Sequence, residues 1–146
     1  MYDRILVPTD GSHATERAVE NAVDLAKQYG ATIHALYVVD SGTYASLEAG
    51  TDIVIESLET EGKEAVEHVV ETAERAGVET TTSVESGSAY ETILDYAEAN
   101  DCDLIVMGTH GRSGLDRYLL GSVTEKVVRR SDVPVLTVRA DEDEDE

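Results

Sequence analysis

Residues 104–128 read LIVMGTHGRSGLDRYLLGSVTEKVV, and this stretch decides the fold. The apolar run Leu104–Met107 predicts a buried strand, and the pattern from Val123 to Val128 predicts a helix. The loop between them is rich in glycine and serine. Glycine lets the backbone approach a ligand closely, and the unpaired N–H groups of a helix start attract anions. The stretch is therefore typical of a strand–loop–helix unit that can bind phosphate.

The same loop also has a purely structural interpretation. Ser122 and Glu125 have the spacing of a capping box, which by itself stabilises a helix start by about 0.5–2 kcal/mol. The loop lacks the Gly-x-Gly-x-x-Gly and Walker-type patterns of better-known nucleotide-binding loops. Local chemistry alone leaves a capped connector and a phosphate site equally open.

Length and composition indicate one domain of 146 residues, long enough for a single hydrophobic core. Cys102 is the only cysteine, so no intrachain disulfide can form. No apolar run approaches the ~20 residues of a membrane span, and the first residues lead into a strand without a signal-peptide pattern. We therefore expect a cytoplasmic protein without a membrane segment.

Acidic residues dominate the chain, with 31 Asp and Glu against 11 Lys and Arg and a net charge of −20. Residues 141–146 are all acidic and predict a disordered segment after a domain at 1–140, which keeps a charge of −14. Repulsion on this scale is screened at ~1 M salt, where the Debye length is about 3 Å. The composition resembles that of proteins from salt-loving cells, and an ordinary acidic protein is the alternative. No basic face is visible, which argues against nucleic acid as a partner.

Five strand patterns alternate with helical patterns along the chain. Strands are predicted at 4–7, 32–39, 78–84, 104–107 and 133–138, a helix from near 57 to 75, and a loop or lid at 43–55. Ser12 and Ser88 are predicted to cap the helices that follow them. This alternation predicts an α/β fold, a parallel sheet with helices on both faces.

In such folds a ligand binds at the carboxyl ends of the strands, where the winding reverses direction. Asp10 follows the first strand and Gly108 follows the fourth. If these strands are neighbours, the two residues face each other across the crevice. The alternative for Asp10 is that its carboxylate only accepts hydrogen bonds from N–H groups of its own turn.

Three motifs together resemble the universal stress protein family in its ATP-binding form. PTDGS at 8–12 follows the first strand, YVVD at 37–40 ends the second, and the pattern Gly-x2-Gly-x9-Gly-Ser at 108–122 follows the fourth. The resemblance extends from Arg4 to Val138. It implies an open five-stranded parallel sheet of order 3-2-1-4-5, homodimerisation through the last strand, Val133 to Val138, and an adenine nucleotide at the switch point. ATP with Mg²⁺ or Mn²⁺ is the expected ligand.

The resemblance also assigns roles to residues. Asp10 would contact the adenosine or an associated metal ion, the main chain of Val38 would contact the adenine, and the glycines and Ser122 would hold the phosphates. We add Arg112 and Arg117 as charge partners for phosphate, with a surface role as the alternative. The expected nucleotide-binding residues are Pro8, Thr9, Asp10, Val38, Met107, Gly108, Gly111, Arg112, Gly121, Ser122 and Val123.

Three functions are compatible with these features. The leading hypothesis is a dimeric stress-response module regulated by bound nucleotide. The second is a slow, metal-dependent ATP hydrolase, against which neither His13 nor His110 lies in a recognised base motif. The third is a dimeric interaction module that binds no nucleotide.

Overall fold

The computed structural model describes residues 2–39, 51–109 and 121–139. A short 3₁₀ turn at His13–Thr15 precedes the first helix. The described strands are β1 (Arg4–Pro8), β2 (Thr32–Val39), β3 (Thr80–Ser86), β4 (Leu104–Gly108) and β5 (Val135–Val138). The described helices are α1 (Glu16–Tyr29), α2 (Thr51–Arg75), α3 (Ala89–Ala99) and α4 (Ser122–Arg130).

The strands form one parallel sheet in the order β3-β2-β1-β4-β5, which confirms the predicted topology. β1 lies between β2 and β4, with Ile5 opposite Leu104 and Leu6 opposite Ile105. The winding therefore reverses between β1 and β4. The carboxyl ends of these two strands carry the loops on which the predicted site depends.

Helices cover both faces of the sheet, as predicted. Because side chains alternate along a strand, Ile5 and Val7 point to the core beneath α1 and α2, whereas Leu6 points to the core beneath α3 and α4. All three side chains are fully buried. Burial of such a side chain contributes about 1.5–3 kcal/mol, so the central strand anchors both layers.

The end of α1 has a local cause, whereas the start of α2 differs from the prediction. Gly30 ends α1 in the left-handed conformation, with φ of 69°, as glycine commonly does just after the last helical residue. α2 begins at Thr51, so residues 51–55 of the predicted loop or lid are helical instead. Residues 51–61 contain no glycine or proline to interrupt a helix, which explains the longer element. Residues 43–50 of that loop lie outside the described residues.

Strands β3 and β5 also differ from the prediction. β3 begins two residues later than expected and lies at the edge of the sheet, where its threonines are tolerated. β5 begins at Val135 instead of Val133, because Pro134 has no N–H group to donate to a neighbouring strand. None of the described helices is long and apolar enough to cross a membrane.

Candidate functional site

A cleft of about 280 Å³ opens at the carboxyl edge of the sheet, where β1 and β4 end. It lies on the face covered by α3 and α4, and its mouth is formed by the loop after β1 and the start of α4. Its position is where doubly wound sheets bind ligands. The described residues that line it are Pro8, Thr9, Asp10, Thr15, Leu36, Val38, Ala89, Ile93, Met107, Gly108, Gly121, Ser122, Val123 and Thr124.

The loop after β1 is held by hydrogen bonds within itself and to β2. The N–H of Thr9 donates to the carbonyl of Leu36 over 2.8 Å, so the loop begins in register with β2. Oδ1 of Asp10 accepts the N–H of Ser12 over 2.9 Å, the turn-stabilising role open to it from sequence. Oδ2 of Asp10 has no hydrogen-bond donor within the described residues. One oxygen of Asp10 is therefore used within the turn, while the other remains available to a ligand.

Ser12 does not cap α1, contrary to the prediction. α1 begins only at Glu16, after a 3₁₀ turn whose N-cap position Ser12 occupies without a side-chain hydrogen bond. The hydroxyl of Thr15 donates to the carbonyl of Ser12 over 2.8 Å, which tightens this turn and leaves no helix start for Ser12 to cap. Oγ of Ser12 is buried and has no hydrogen-bond partner within the described residues.

Three hydrogen bonds join β4, β5 and α4 at the ends of the glycine-rich loop. The N–H of Gly121 donates to the carbonyl of Thr109 over 2.6 Å, and the N–H of Thr109 donates to the carbonyl of Val138 over 3.0 Å. The hydroxyl of Thr124 donates to the carbonyl of Gly108 over 2.9 Å. The start of α4 is thus held against the end of β4, with its first N–H groups beside the cleft.

The predicted capping box at the start of α4 is wrong. Gly121 is the N-cap, because its carbonyl accepts the N–H of Glu125 over 2.9 Å, and Ser122 is the first helical residue. The carboxylate of Glu125 instead pairs with Arg129 over 2.8 Å, one turn further along. Ser88 occupies the N-cap position of α3, but its side chain makes no capping hydrogen bond, so the predicted cap is confirmed only in its position. The hydroxyl of Ser122 is therefore not committed to capping.

The structure brings nine of the eleven expected binding residues to one cleft. Gly111 and Arg112 lie outside the described residues, as do His110 and Arg117. Sequence reasoning missed Thr15, Leu36, Ala89, Ile93 and Thr124. Leu36 and Ile93 have the pattern of ordinary core residues, and Thr124 lies inside a helical pattern, so no local signal distinguished them.

The two ends of the cleft differ in chemistry. Side chains of Leu36, Val38, Ile93, Met107 and Val123 form an apolar wall that belongs to the core beneath α3 and α4. The loop after β1 and the start of α4 present backbone N–H groups, hydroxyls and the carboxylate of Asp10. A flat apolar group with a polar, anionic extension is the kind of ligand that matches both ends.

The described residues of the cleft offer few side chains that could bind a metal ion. Within the described residues, no group of three or more His, Cys, Asp or Glu side chains is arranged to hold a metal ion. Asp10 is the only titratable side chain among the described lining residues. Any divalent ion here would depend on oxygen atoms of the ligand as well as those of the protein.

Shifted pKa values lie away from the cleft. Burial, with a smaller effect from the charge of Arg4, lowers the pKa of His34, whose Nδ1 is 2.8 Å from the hydroxyl of Tyr96. Burial raises the pKa of Tyr96 and raises that of Cys102 to about 11. A thiol with this pKa is protonated at neutral pH, so Cys102 behaves as a core residue.

Known proteins are similar to this chain in both sequence and architecture. The family model for universal stress proteins matches residues 1–139. A universal stress protein of Methanocaldococcus jannaschii, MJ0531, is 40% identical over 141 residues, which cover 95% of this chain and 83% of that protein.

Two solved structures extend the comparison to the fold. The structure of the protein MJ0577 has a TM-score of 0.84 at 33% identity, covering 94% of this chain and 96% of that one. A universal stress protein in complex with cAMP has a TM-score of 0.71 at 26% identity, covering 96% and 98%. Sequence and fold agree, and the chain belongs to the universal stress protein family.

Proposed function

We propose that the protein binds ATP in the cleft between β1 and β4 and acts as a nucleotide-dependent stress-response module. The observation that carries this proposal is the convergence of Asp10, Gly108 and Gly121 on one cleft that also has an apolar wall. The binding of cAMP by a related universal stress protein supports an adenine nucleotide as the ligand.

In this proposal the adenine packs on the apolar wall and the phosphates lie at the polar end. The side chains of Val38 and Ile93 contact the base, and the main chain at the end of β2 supplies hydrogen bonds. N–H groups at the start of α4 and the hydroxyl of Ser122 bind the phosphates. Gly111 and Arg112 complete the phosphate site from the loop after β4.

A Mg²⁺ or Mn²⁺ ion fits this arrangement if the nucleotide supplies most of its ligands. Magnesium is commonly held by one or two carboxylates together with substrate phosphates. Oδ2 of Asp10 and the hydroxyl of Ser122 are the described lining groups that could hold it. The ion would neutralise phosphate charge in a protein that is strongly acidic.

The test of the site is calorimetric titration of ATP into the protein and into Gly121→Val. Gly121 has φ of −61° and ψ of 153°, which valine adopts without backbone strain, so the new side chain should narrow the cleft. We expect ATP binding to be lost. Ser88→Val is the matched control, because Ser88 is also an extended N-cap but does not line the cleft. Unchanged ATP affinity in Gly121→Val would contradict the proposed site.

A regulatory module fits the cleft better than a hydrolase. Hydrolysis needs a group that activates water, and Asp10 is the one titratable side chain among the described lining residues, with no histidine or second carboxylate beside it in that set. Turnover by the purified protein that disappears in Asp10→Ala would support the hydrolase instead.

We also propose that the protein is a homodimer formed through β5. This strand is at the edge of the sheet, and its Leu136 is 38% exposed, which leaves an apolar edge for a second copy. Light scattering should show a dimer that Leu136→Glu dissociates. Val128→Glu is the control, because Val128 is also an exposed apolar residue, at 43%, but lies on α4. A monomeric wild type would contradict this interface.

The domain at 1–140 and the acidic segment at 141–146 are proposed to belong to a salt-adapted protein. A net charge of −20 is self-repelling in dilute buffer and screened in concentrated salt. The free energy of unfolding should therefore rise from ~0.1 M to ~2 M KCl. Maximal stability in dilute buffer would contradict salt adaptation.

A further inference from the structure

A buried histidine and a buried tyrosine are hydrogen-bonded next to the apolar wall of the cleft. Nδ1 of His34, on β2, is 2.8 Å from the hydroxyl of Tyr96, on α3, and the centroids of the two rings are 5.7 Å apart in an edge-to-face arrangement. His34 is 8% exposed and Tyr96 is 7% exposed. Because both side chains are buried, removal of either partner would leave a polar atom of the other without water to replace the bond.

The pair adjoins the cleft on both elements that carry it. Side chains alternate along a strand, so His34 is the neighbour of Leu36 on the face of β2 that lines the cleft. On α3, Tyr96 follows Ile93 by three positions, which places both on one face of the helix. Leu36, Ile93 and Tyr96 belong to the same core beneath α3 and α4. The hydrogen bond is therefore one residue position deeper in that core than the wall on which the base would pack.

Two hydrogen bonds join α3 to β2, and the cleft lies between them. The N–H of Gly87, just before α3, donates to the carbonyl of Val39, the last residue of β2, over 3.0 Å. The bond between His34 and Tyr96 joins the same two elements further from the carboxyl edge of the sheet. The residues of β2 and α3 that line the cleft lie between these two bonds in sequence: Leu36, Val38, Ala89 and Ile93. The packing of α3 on β2 along the wall is thus held at both ends, and a substitution can remove the side-chain bond without altering the backbone bond.

We propose that His34 and Tyr96 are positioning residues for the base-binding end of the cleft, which they preform by holding α3 against β2. The inference rests on the proposed function, since it concerns the same cleft. Neither residue lines the cleft, so both act through Leu36 and Ile93. A wall that is ordered before binding loses less conformational entropy when the base packs on it, which favours binding of the nucleoside part of any ligand. The phosphate end, at the start of α4, does not depend on this bond.

The test is Tyr96→Phe, which removes the hydroxyl and keeps the ring. Dissociation constants for adenosine and ATP are measured by calorimetry under conditions in which circular dichroism shows that the variant is folded. We expect both constants to rise by the same factor, roughly twofold to tenfold, because both ligands carry the base. Titration at about pH 8 keeps His34 neutral, since burial lowers its pKa from 6.5.

A matched control separates positioning from the general loss of a buried hydroxyl. Tyr37→Phe makes the same substitution on β2, where Tyr37 is also buried, at 4%, but in the core beneath α1 and α2. It should leave the affinities for adenosine and ATP unchanged. His34→Leu removes the hydrogen bond from its other partner and carries the test if Tyr96→Phe does not fold. In the double variant, His34→Leu with Tyr96→Phe, adenosine should bind no more weakly than to the weaker single variant, because the bond is lost only once.

The outcomes separate this inference from the proposed function. Wild-type affinity for adenosine in folded Tyr96→Phe would overturn the positioning role and leave the nucleotide site intact. A loss confined to ATP, or an equal loss in Tyr37→Phe, would overturn it as well, because the effect would not belong to the base-binding end. Additive losses in the double variant would show that His34 and Tyr96 act independently, which also contradicts the inference. If the wild type binds neither adenosine nor ATP, the proposed function fails and the positioning role fails with it.

Discussion

The hydroxyl of Thr124, in the first turn of α4, donates a 2.9 Å hydrogen bond to the carbonyl of Gly108 at the end of β4. These residues are 16 positions apart and flank the glycine-rich loop. Thr124 is buried, with 5% of its surface exposed. The contact therefore fixes where the start of α4 lies relative to the sheet, and with it the shape of the proposed phosphate site.

Replacing this hydroxyl by a methyl group should weaken both the fold and the site. Thr124→Val keeps the side-chain shape but loses the bond to Gly108, at an expected cost of about 1–2 kcal/mol in the free energy of unfolding. ATP affinity should fall as well. Thr60→Val is the control, since the hydroxyl of Thr60 bonds only within α2, to the carbonyl of Glu56. Denaturant unfolding and ATP titration of both variants check this, and wild-type behaviour of Thr124→Val would contradict it.

Two glycines with the same backbone conformation should respond differently to alanine. Gly11 has φ of +77° and Gly30 has φ of +69°, so alanine is strained at both positions by about 1–2 kcal/mol. A Cβ on Gly11 would also lie 3.3 Å from Cβ of Ala65, whereas a Cβ on Gly30 would meet nothing within 4 Å. We expect Gly11→Ala to lose more stability and, being next to Asp10, to weaken ATP binding. Equal losses with unchanged binding would show that the Ala65 contact has no effect.

Gly62 lets α2 pack closely on the sheet. A Cβ at this position would lie 2.6 Å from Cδ1 of Tyr37, which is buried in the core beneath α1 and α2. Alanine normally stabilises a helix interior by about 1 kcal/mol relative to glycine. Here the clash should dominate, and Gly62→Ala should cost about 1–3 kcal/mol.

A double-mutant cycle isolates that clash. In a Tyr37→Val background the ring is gone, so Gly62→Ala should become neutral or stabilising. Urea unfolding of the four proteins gives the coupling energy. If Gly62→Ala is equally destabilising in both backgrounds, the ring is not the cause.

His34 should make stability fall on mild acidification. Its pKa is lowered from 6.5 in the folded protein, chiefly by burial and secondarily by the charge of Arg4. The unfolded chain therefore takes up a proton near pH 6.5 before the folded chain does, and the free energy of unfolding decreases as the pH falls toward the folded pKa. His34→Gln removes this contribution, so its stability should change less between about pH 7.5 and about pH 5.

Urea unfolding at both pH values measures this difference. His68→Gln serves as a matched substitution of an exposed histidine, on α2, for comparison with His34→Gln. A slope in His34→Gln as steep as that of the wild type would contradict the role of His34.

The sequence by itself determined the class and topology of the fold. Apolar runs such as Leu104–Met107 predict strands that are buried on both faces. Because helical patterns alternate with these strands, a parallel sheet covered by helices on both faces buries the apolar sides of the strands and of the helices. Gly30 marked the end of α1 because a residue in the left-handed conformation is favoured there. The motifs added the strand order, which pattern alone does not specify.

Only the tertiary structure decided which atoms are paired and which residues line the cleft. Ser12 and Ser122 have the sequence of helix caps, but the 3₁₀ turn and the carbonyl of Gly121 move both helix starts. Leu36, Ile93 and Thr124 come to the cleft from distant elements. Local sequence fixes which backbone groups need partners, whereas the partners themselves depend on how the helices pack across the sheet. For that reason the sequence predicted the site residues that lie in the motifs, but it did not predict Leu36 and Ile93 in the apolar wall.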